Sequence, residues 1–139
     1  MISKAEFCNY IKEYENVMYI TAYSILKNDH DAADAIGEAI LKAYSNLNNL
    51  KDPKVFRSWI LRIVHNEAVS LIRKNRPVTE LENARHITDG DNETKRTEKM
   101  DLKEAVENLP QPYRTVITLY YYQSLSMDDI AGITGTSAL

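Results

Sequence analysis

Residues 31–44 read DAADAIGEAILKAY, residues 56–66 read FRSWILRIVHN, and residues 73–76 read RKNR. The first stretch is acidic and rich in alanine, and its apolar residues recur at the spacing of an amphipathic helix that can pack closely on a neighbour. The other two stretches predict a longer helix with a basic end. An acidic helix followed by a basic helix with interleaved aromatic residues indicates two different partners, the second being a nucleic acid.

Helical periodicity continues on the N-terminal side of these stretches. A first helix is predicted to begin at Ser3, because Ser3 and Glu6 have the spacing of a capping box. The second helix is predicted to be capped by Asp29 or Asp31 and to run to about Leu47. Three long helices would therefore form the first part of the chain.

The third helix has clear start and stop signals. Asp52 is expected as its N-cap and Pro53 as its first residue, and Pro77 should end it near Asn75. Residues 77–97 are mostly polar turn formers with little apolar periodicity, which predicts a flexible linker.

Apolar periodicity returns after the linker. Pro112 starts a helix that should run to about Gln123, Ser126 should cap a shorter helix, and Gly135 should turn the chain. No stretch shows the alternation of a strand. The predicted fold is all-α, with a three-helix domain at residues 1–76, a linker at residues 77–97 and a partial domain at residues 98–139.

Composition limits the possible environments. The chain has 139 residues, a net charge of −3 and 44% hydrophobic residues, and it lacks any apolar run of membrane-spanning length. Its N-terminus has no signal-peptide pattern, so an intracellular location is expected. A single cysteine, Cys8, excludes an internal disulfide. Because Cys8 lies between the apolar residues Phe7 and Ile11, we expect it to be buried.

The net negative charge does not exclude nucleic-acid binding. Residues 54–76 contain six basic side chains against one acid, Glu67. Screening limits the reach of distant acidic groups to about 10 Å, so a local basic face can bind phosphates.

Taken in order, these motifs resemble the extracytoplasmic-function (ECF) sigma factors of bacteria, the smallest members of the sigma-seventy class. Residues 31–44 resemble the family's region 2.2, residues 56–66 region 2.3, and residues 67–76, EAVSLIRKNR, region 2.4. Residues 109–137, LPQPYRTVITLYYYQSLSMDDIAGITGTS, resemble the start of its fourth domain, a helix-turn-helix unit. The resemblance implies a factor that directs core RNA polymerase to specific promoters and helps to melt them.

The chain departs from the family pattern at several positions. Gly37 stands where Gln is usual, Ser70 where Asp is common, and Gly132 where Glu is common. The family continues with a basic recognition helix, the element that enters the major groove, whereas this sequence stops at Leu139. We therefore do not expect these residues to read the minus-thirty-five element.

The resemblance assigns polymerase binding to the second helix. Residues three or four apart share one side of a helix and form an exposed strip. By resemblance, this strip docks on the clamp coiled coil of the polymerase β′ subunit; the alternative is a solvated helix face. The strip comprises Asp34, Glu38, Leu41, Lys42 and Ser45.

The resemblance also assigns capture of a flipped base of the minus-ten element, on the non-template strand, to the third helix and the loop before it. Asn66 and Arg62 lie one turn apart, and because Asn can pair with adenine, Asn66 is the strongest candidate for a base contact. The basic helix end should follow phosphates; the alternative is an ordinary basic C-terminus that the helix dipole favours. The candidate DNA-binding residues are Asn48, Asn49, Lys51, Lys54, Arg62, Asn66, Arg73, Lys74 and Arg76.

Other aromatic and titratable residues have structural interpretations. Trp59 is expected to be a core residue, and His65 a neutral surface residue. The three tyrosines at positions 120–122 are expected mainly to contribute to helix packing in the second domain, although Tyr121 should face water.

Enzymatic functions are disfavoured. His30, His65 and His86 lack metal-ligand spacing with one another or with Cys8, and no glycine-rich phosphate loop is present. We therefore expect no catalysis and no cofactor.

The resemblance further implies a bacterial cytoplasmic protein with no membrane insertion of its own, held by an anti-sigma factor. Two alternatives remain. One is a decoy that binds polymerase or an anti-sigma factor without initiating transcription, and the other is a helix-turn-helix regulator that binds duplex DNA without polymerase.

Overall fold

The structure is a computed structural model that describes residues 2–74, the first unit, and residues 102–135, the second unit. The predicted linker and Arg76 lie outside the described residues. The α-helices are α1 (Lys4–Leu26), α2 (Asp29–Ser45), α3 (Phe56–Lys74), α4 (Leu102–Glu107), α5 (Tyr113–Ile117) and α6 (Met127–Thr134). Short 3-10 turns occupy Leu47–Asn49 and Pro53–Val55, and a π-helical turn occupies Thr118–Tyr122. The two units contain no strand, which confirms the all-α prediction.

The predicted capping box begins α1. The Ser3 hydroxyl accepts a hydrogen bond from the Glu6 backbone N–H at 3.1 Å, and the Glu6 carboxylate accepts one from the Ser3 N–H at 3.0 Å. These bonds satisfy two donors that a helix start leaves unpaired. The helix ends at Leu26, and the C-cap residue after it, Lys27, has a left-handed backbone with φ 53°.

The cap of α2 is neither of the two predicted residues, Asp29 and Asp31. The side chain of Asn28 accepts from the Asp31 N–H at 2.8 Å, while Asp29 is the first helical residue. Asn28 has the extended backbone that an N-cap needs, and the two acids fall in the first turn, where the helix dipole favours negative charge. At the other end, α2 stops at Ser45 instead of Leu47.

The start of α3 agrees with the prediction. The Asp52 side chain accepts from the Lys54 N–H at 3.0 Å, and Pro53 begins a 3-10 turn that leads directly into the α-helix at Phe56. A proline fits this position because its missing N–H would have had no helical partner.

The first unit is a three-helix bundle. Phe56 is fully buried at its centre, with its ring centroid 4.8 Å from that of Tyr10, 6.0 Å from that of Phe7 and 5.6 Å from that of Trp59. Trp59 packs against the core, as the sequence predicted, but it is only partly buried. Small side chains on α2 let its neighbours approach closely; the buried ones are Ala32, Ala35, Ala39 and Ala43.

Cys8 is exposed, so the expectation of a buried thiol was wrong. The buried face of α1 passes through Phe7 and Val17. One residue beyond Phe7 is about 100° further around the helix, which turns Cys8 towards solvent.

The second unit has short helices with well-defined ends. The Ser126 hydroxyl accepts from the Asp129 N–H at 3.0 Å, and Gly135 ends α6 with φ 76°, as predicted for both. The helix predicted to run to Gln123 changes to π geometry at Thr118. This change follows α5 directly.

The expected packing of Tyr120 was wrong. Its side chain is 47% exposed, whereas Leu119 beside it is fully buried. A π turn contains more residues per turn than an α-helix, so apolar spacing counted at 3.6 residues misplaces the side chains there. Tyr121 is 64% exposed, as predicted.

The two described units pack against each other. Helix α6 lies on α3, and α5 with the π turn lies on α1. Leu119, Leu125, Ile130 and Ile133 belong to the same core cluster as the first three helices. The predicted domain limits stay a prediction.

Candidate functional site

The proposed contact residues of α2 share its outward face. Asp34, Glu38, Leu41, Lys42 and Ser45, hereafter the α2 strip, are all exposed. The alanines between them are buried against the bundle. Because a helix has only one face turned away from such a core, the α2 strip is the surface that α2 offers to a partner.

Tyr44 is a partly packed aromatic neighbour of the α2 strip. Its ring centroid lies 5.7 Å from that of Phe7, yet the residue is 43% exposed. Leu41, three residues earlier, is 64% exposed. The two side chains add an apolar area to an otherwise polar surface, a combination suited to helix-on-helix contact.

Lys42 is engaged within the chain. Its Nζ lies 2.6 Å from a carboxylate oxygen of Glu67 on α3. The hydrogen bond and the charge of Glu67 raise the pKa of Lys42. Lys42 therefore links α2 to α3 while it contributes to the α2 strip.

Gly37 lies between residues of the α2 strip. It is exposed, and a Cβ built on it meets no atom within 4 Å. The fold therefore leaves room for a larger side chain at this position.

The loop between α2 and α3 places its polar candidates at the surface. Leu50 is only 3% exposed and anchors the loop in the core, with its N–H donating to the Leu47 carbonyl at 3.1 Å. The flanking candidates are Asn48, Asn49, Lys51 and Lys54, all exposed. A buried anchor between exposed polar groups holds these side chains on a defined backbone.

Arg62 and Asn66 lie on the exposed side of α3, one turn apart, as predicted. The Nδ1 atom of His65 lies 3.4 Å from the side-chain oxygen of Asn66. Burial lowers the pKa of His65, as does the charge of Arg62, while the Asn66 hydrogen bond acts in the opposite direction. The lowered pKa favours the neutral imidazole, whereas the expectation of a surface residue was wrong, because His65 is only partly exposed.

Arg62 also has a partner in the second unit. Its guanidinium donates to the backbone carbonyl of Gly132 in α6. No local sequence pattern predicts this pairing, because the two residues are seventy positions apart.

The basic end of α3 is exposed at Arg73 and Lys74. Lys74 borders a shallow hollow between α2 and α3 that is also lined by Asp34, Glu38 and Glu67. The described basic candidates for DNA binding are thus split between the loop, the middle of α3 and its end.

One group of potential metal ligands lies at the start of α2. His30 Nδ1 is 3.5 Å from an Asp34 oxygen and 3.8 Å from an Asp31 oxygen. His30 is 84% exposed, so these contacts are those of a surface ion pair when the histidine is protonated.

Within the two described units, no helix is both long and apolar enough to cross a bilayer.

Comparisons with known proteins match both units. The family model Sigma-70 region 2 matches residues 10–78, and the model Sigma-70, region 4 matches residues 99–138. RNA polymerase sigma factor SigV of Bacillus subtilis (strain 168) is 30% identical over 135 residues, which cover 96% of this chain and 80% of that protein.

Two further relatives extend this match. ECF RNA polymerase sigma factor SigW of the same bacterium is 28% identical, with 91% of this chain and 76% of that protein covered. The ECF RNA polymerase sigma-E factor of Escherichia coli (strain K12) is 30% identical over 118 residues, covering 74% of this chain and 62% of that protein.

Proposed function

The chain belongs to the sigma-70 family and has a sigma-factor role in transcription initiation; from this premise we propose that α2 binds core RNA polymerase and that α3 captures promoter DNA. The observation that carries the proposal is the division of surfaces in the first unit. The α2 strip is exposed on one helix, and the base-contact candidates are exposed on another.

The α2 strip would dock on the clamp coiled coil of the β′ subunit. It is a mixed surface, with carboxylates at Asp34 and Glu38 beside the exposed apolar side chain of Leu41. A coiled coil offers apolar side chains flanked by charges, so the α2 strip can contact it through its apolar and its charged side chains.

The loop and α3 would hold the minus-ten element as single-stranded DNA. Asn66 presents an amide that can form paired hydrogen bonds with adenine, and Arg62 can do the same with guanine. Lys51 and Lys54 in the loop, and Arg73 at the helix end, would bind phosphates and set the position of the strand.

The same proposal includes the cellular setting. The chain would work in the bacterial cytoplasm as a binding protein with no catalysis of its own and would be held inactive by an anti-sigma factor. The last point rests on its relationship to ECF sigma factors.

The proposal can be tested with the purified chain and bacterial core RNA polymerase. We expect saturable binding that a housekeeping sigma factor competes away, and enrichment of particular sequences from a random pool of single-stranded DNA by the resulting complex. Transcripts from promoters containing the enriched sequences would identify an active factor. Competed binding without transcripts would identify a decoy, and the absence of competed binding would contradict the proposal.

Two substitutions locate the polymerase contact. Glu38→Lys should weaken polymerase binding on the order of tenfold or more if like charges then face each other. Glu15→Lys makes the same charge change at an exposed position of α1 and should leave binding unchanged. Gly37→Gln, for which the fold has room, should tighten binding if this side of α2 meets polymerase.

A further inference from the structure

A cleft lies where the first helix meets the second unit. Its volume is about 670 Å³, and its walls come mainly from α1, α4, α5 and the π turn. Sites for small molecules have volumes of about 300–1,000 Å³ and occur preferentially where domains meet. The described residues that line the cleft are distinct from those assigned above to polymerase and DNA. Its size and position are therefore those of a separate ligand site.

One wall of the cleft is aromatic. Tyr19 and Tyr23 lie one turn apart on α1, with ring centroids 5.8 Å apart and ring planes inclined by 25°. The Tyr19 hydroxyl donates to the carboxylate of Asp29 at the start of α2, which holds the first ring in place. Both tyrosines are only partly buried. Because aromatic rings attract one another in offset or edge-on contact, a planar ligand can pack on this wall.

Three basic side chains reach the same cleft from three places in the fold. Lys27 follows the end of α1, Lys103 lies on α4, and Arg114 lies on α5. The acids among the described lining residues are Asp29 and Glu107. The described walls therefore carry more positive than negative charge, although the net charge of the chain is −3.

Arg114 is held in the wall by the backbone of both units. Its guanidinium donates to the carbonyls of Ser24 and Ile25, the latter at 3.2 Å, and to that of Leu109 at 3.0 Å. These bonds use three of the five N–H groups of a guanidinium, and an arginine side chain in a protein keeps its charge. Arg114 therefore fixes a positive charge beside the cleft.

Lys27 lies close enough to Arg114 to be affected by that charge. Its Nζ donates to the Glu107 backbone carbonyl at 3.0 Å. Burial lowers the pKa of Lys27, as does the charge of Arg114, while the charge of Glu107 acts in the opposite direction. An anion beside these two cations would offset their mutual repulsion, whereas a cation would add to it. The charges of the cleft thus favour an anionic ligand.

We propose that this cleft binds a small organic anion with a planar ring, such as an aromatic carboxylate or an aromatic phosphate ester. The ring packs on Tyr19 and Tyr23. The anionic group faces Lys27, Lys103 and Arg114. Because such a ligand contacts α1 and the second unit together, its binding stabilises the packing between them. This inference goes beyond the proposed function and does not depend on it.

A pair of fluorescent probes tests the proposal with the full chain. The sulfonate probe, 8-anilinonaphthalene-1-sulfonate, combines planar rings with one anionic group, and we expect saturable binding of one probe per chain. The neutral probe, N-phenyl-1-naphthylamine, has the same rings without the sulfonate. It should bind about tenfold or more weakly, because it lacks hydrogen bonds assisted by charge. Absence of saturable binding, or equal affinity for the two probes, would overturn the proposal.

Lys103→Met tests the cationic side of the cleft. Lys103 is exposed, so the variant should stay folded. We expect about threefold weaker binding of the sulfonate probe and unchanged binding of the neutral probe. Lys12→Met makes the same charge change at an exposed position of α1 outside the cleft and should alter neither affinity. Equal effects of the two substitutions would contradict binding in the cleft.

Tyr23→Leu tests the aromatic wall. It should weaken binding of both probes, because both place their rings on that wall. Tyr121→Leu removes a ring that is 64% exposed and lies outside the cleft, so it should leave both affinities unchanged. If Tyr121→Leu weakened binding and Tyr23→Leu did not, the probes would bind another surface and the proposal would be wrong.

Two further measurements test the bridging role and the ligand class. A saturating concentration of the sulfonate probe should slow hydrogen exchange in α4 and α5, and unchanged exchange there would contradict binding across both units. We also expect 1-naphthoate or 1-naphthyl phosphate to displace the bound probe. The compound that acts at the lower concentration identifies the preferred anionic group, and failure of both compounds to displace the probe would overturn the proposal.

Discussion

The two units of this protein differ in what stabilises them. The first unit has helices of 23, 17 and 19 residues around its own aromatic and alanine-lined core. The second has helices of 6, 5 and 8 residues, joined in part by a π turn. Isolated helices shorter than about 12–15 residues are marginal in water. The second unit therefore depends on tertiary contacts, and several of its apolar residues share the core of the first.

The long helices hold the α2 strip and the α3 candidates on a fixed frame. The short helices form a unit whose attachment to that frame is limited and can be weakened separately. Substitutions in the two units should consequently have different effects on stability and on local opening.

Phe56→Ala should have the largest effect, because it empties the centre of the first unit. Loss of a fully buried aromatic side chain should lower the free energy of unfolding by about 3–5 kcal/mol, as measured by urea denaturation. Val55→Ala is the matched control, since Val55 is adjacent and 50% exposed. A loss below about 1 kcal/mol for Phe56→Ala would contradict its central position.

Arg114→Met should release the second unit while leaving the first folded. The substitution keeps an unbranched side chain but removes the donors to Ser24, Ile25 and Leu109, at a cost of about 1.5–3 kcal/mol. Hydrogen exchange should accelerate in α5 and α6 and stay slow in α3. Lys103→Met, at an exposed position, is the control, and equal acceleration in all helices would mean that the units do not open separately.

Each unit has a serine N-cap, so the same substitution can be compared in the two units. Ser3→Ala and Ser126→Ala each remove a hydroxyl that accepts a backbone N–H, worth about 1 kcal/mol. Hydrogen exchange should show fraying of one turn in α1 but opening of the whole of α6, because α6 has only 8 residues. Fraying limited to the first turn in both helices would contradict the proposed difference in stability between the two units.

His65 should give the smallest effect, a change with pH. Its pKa is lowered in the folded chain by burial, so below about pH 6.5, the ordinary value, the unfolded chain binds a proton that the folded chain resists. The free energy of unfolding should therefore decrease as the pH falls through this range, and it should decrease less in the His65→Gln variant. Urea denaturation at several pH values checks this, and identical pH profiles would show that His65 is not desolvated.

The fold was largely predictable where the determinants are local. The capping box at Ser3, the start at Asp52, the cap at Ser126 and the turn at Gly135 each depend on a few neighbouring residues. Such signals are complete within the sequence, because the hydrogen bonds they form link positions two to four apart.

Prediction failed where the exposure or the partner of a side chain depends on helix geometry or on packing between residues far apart in the sequence. The π turn shifted the register that had placed Tyr120 in a helix interface, and the exact facing of α1 decided the exposure of Cys8. Candidate site residues could be placed on helix faces, but their partners could not. The Lys42–Glu67 pair and the Arg62–Gly132 hydrogen bond join separate helices, and no periodicity encodes them.

One comparison of two variants, Glu38→Lys and Asn66→Ala, tests the division of surfaces most directly. The first assay measures binding of each variant to core RNA polymerase. The second measures how well the polymerase complex, formed with a saturating concentration of the variant, captures the enriched single-stranded DNA. The account predicts that Glu38→Lys weakens polymerase binding but not DNA capture once the complex is formed. It predicts that Asn66→Ala weakens DNA capture and leaves polymerase binding intact. If Asn66→Ala weakened polymerase binding instead, the assignment of α3 to DNA would be wrong.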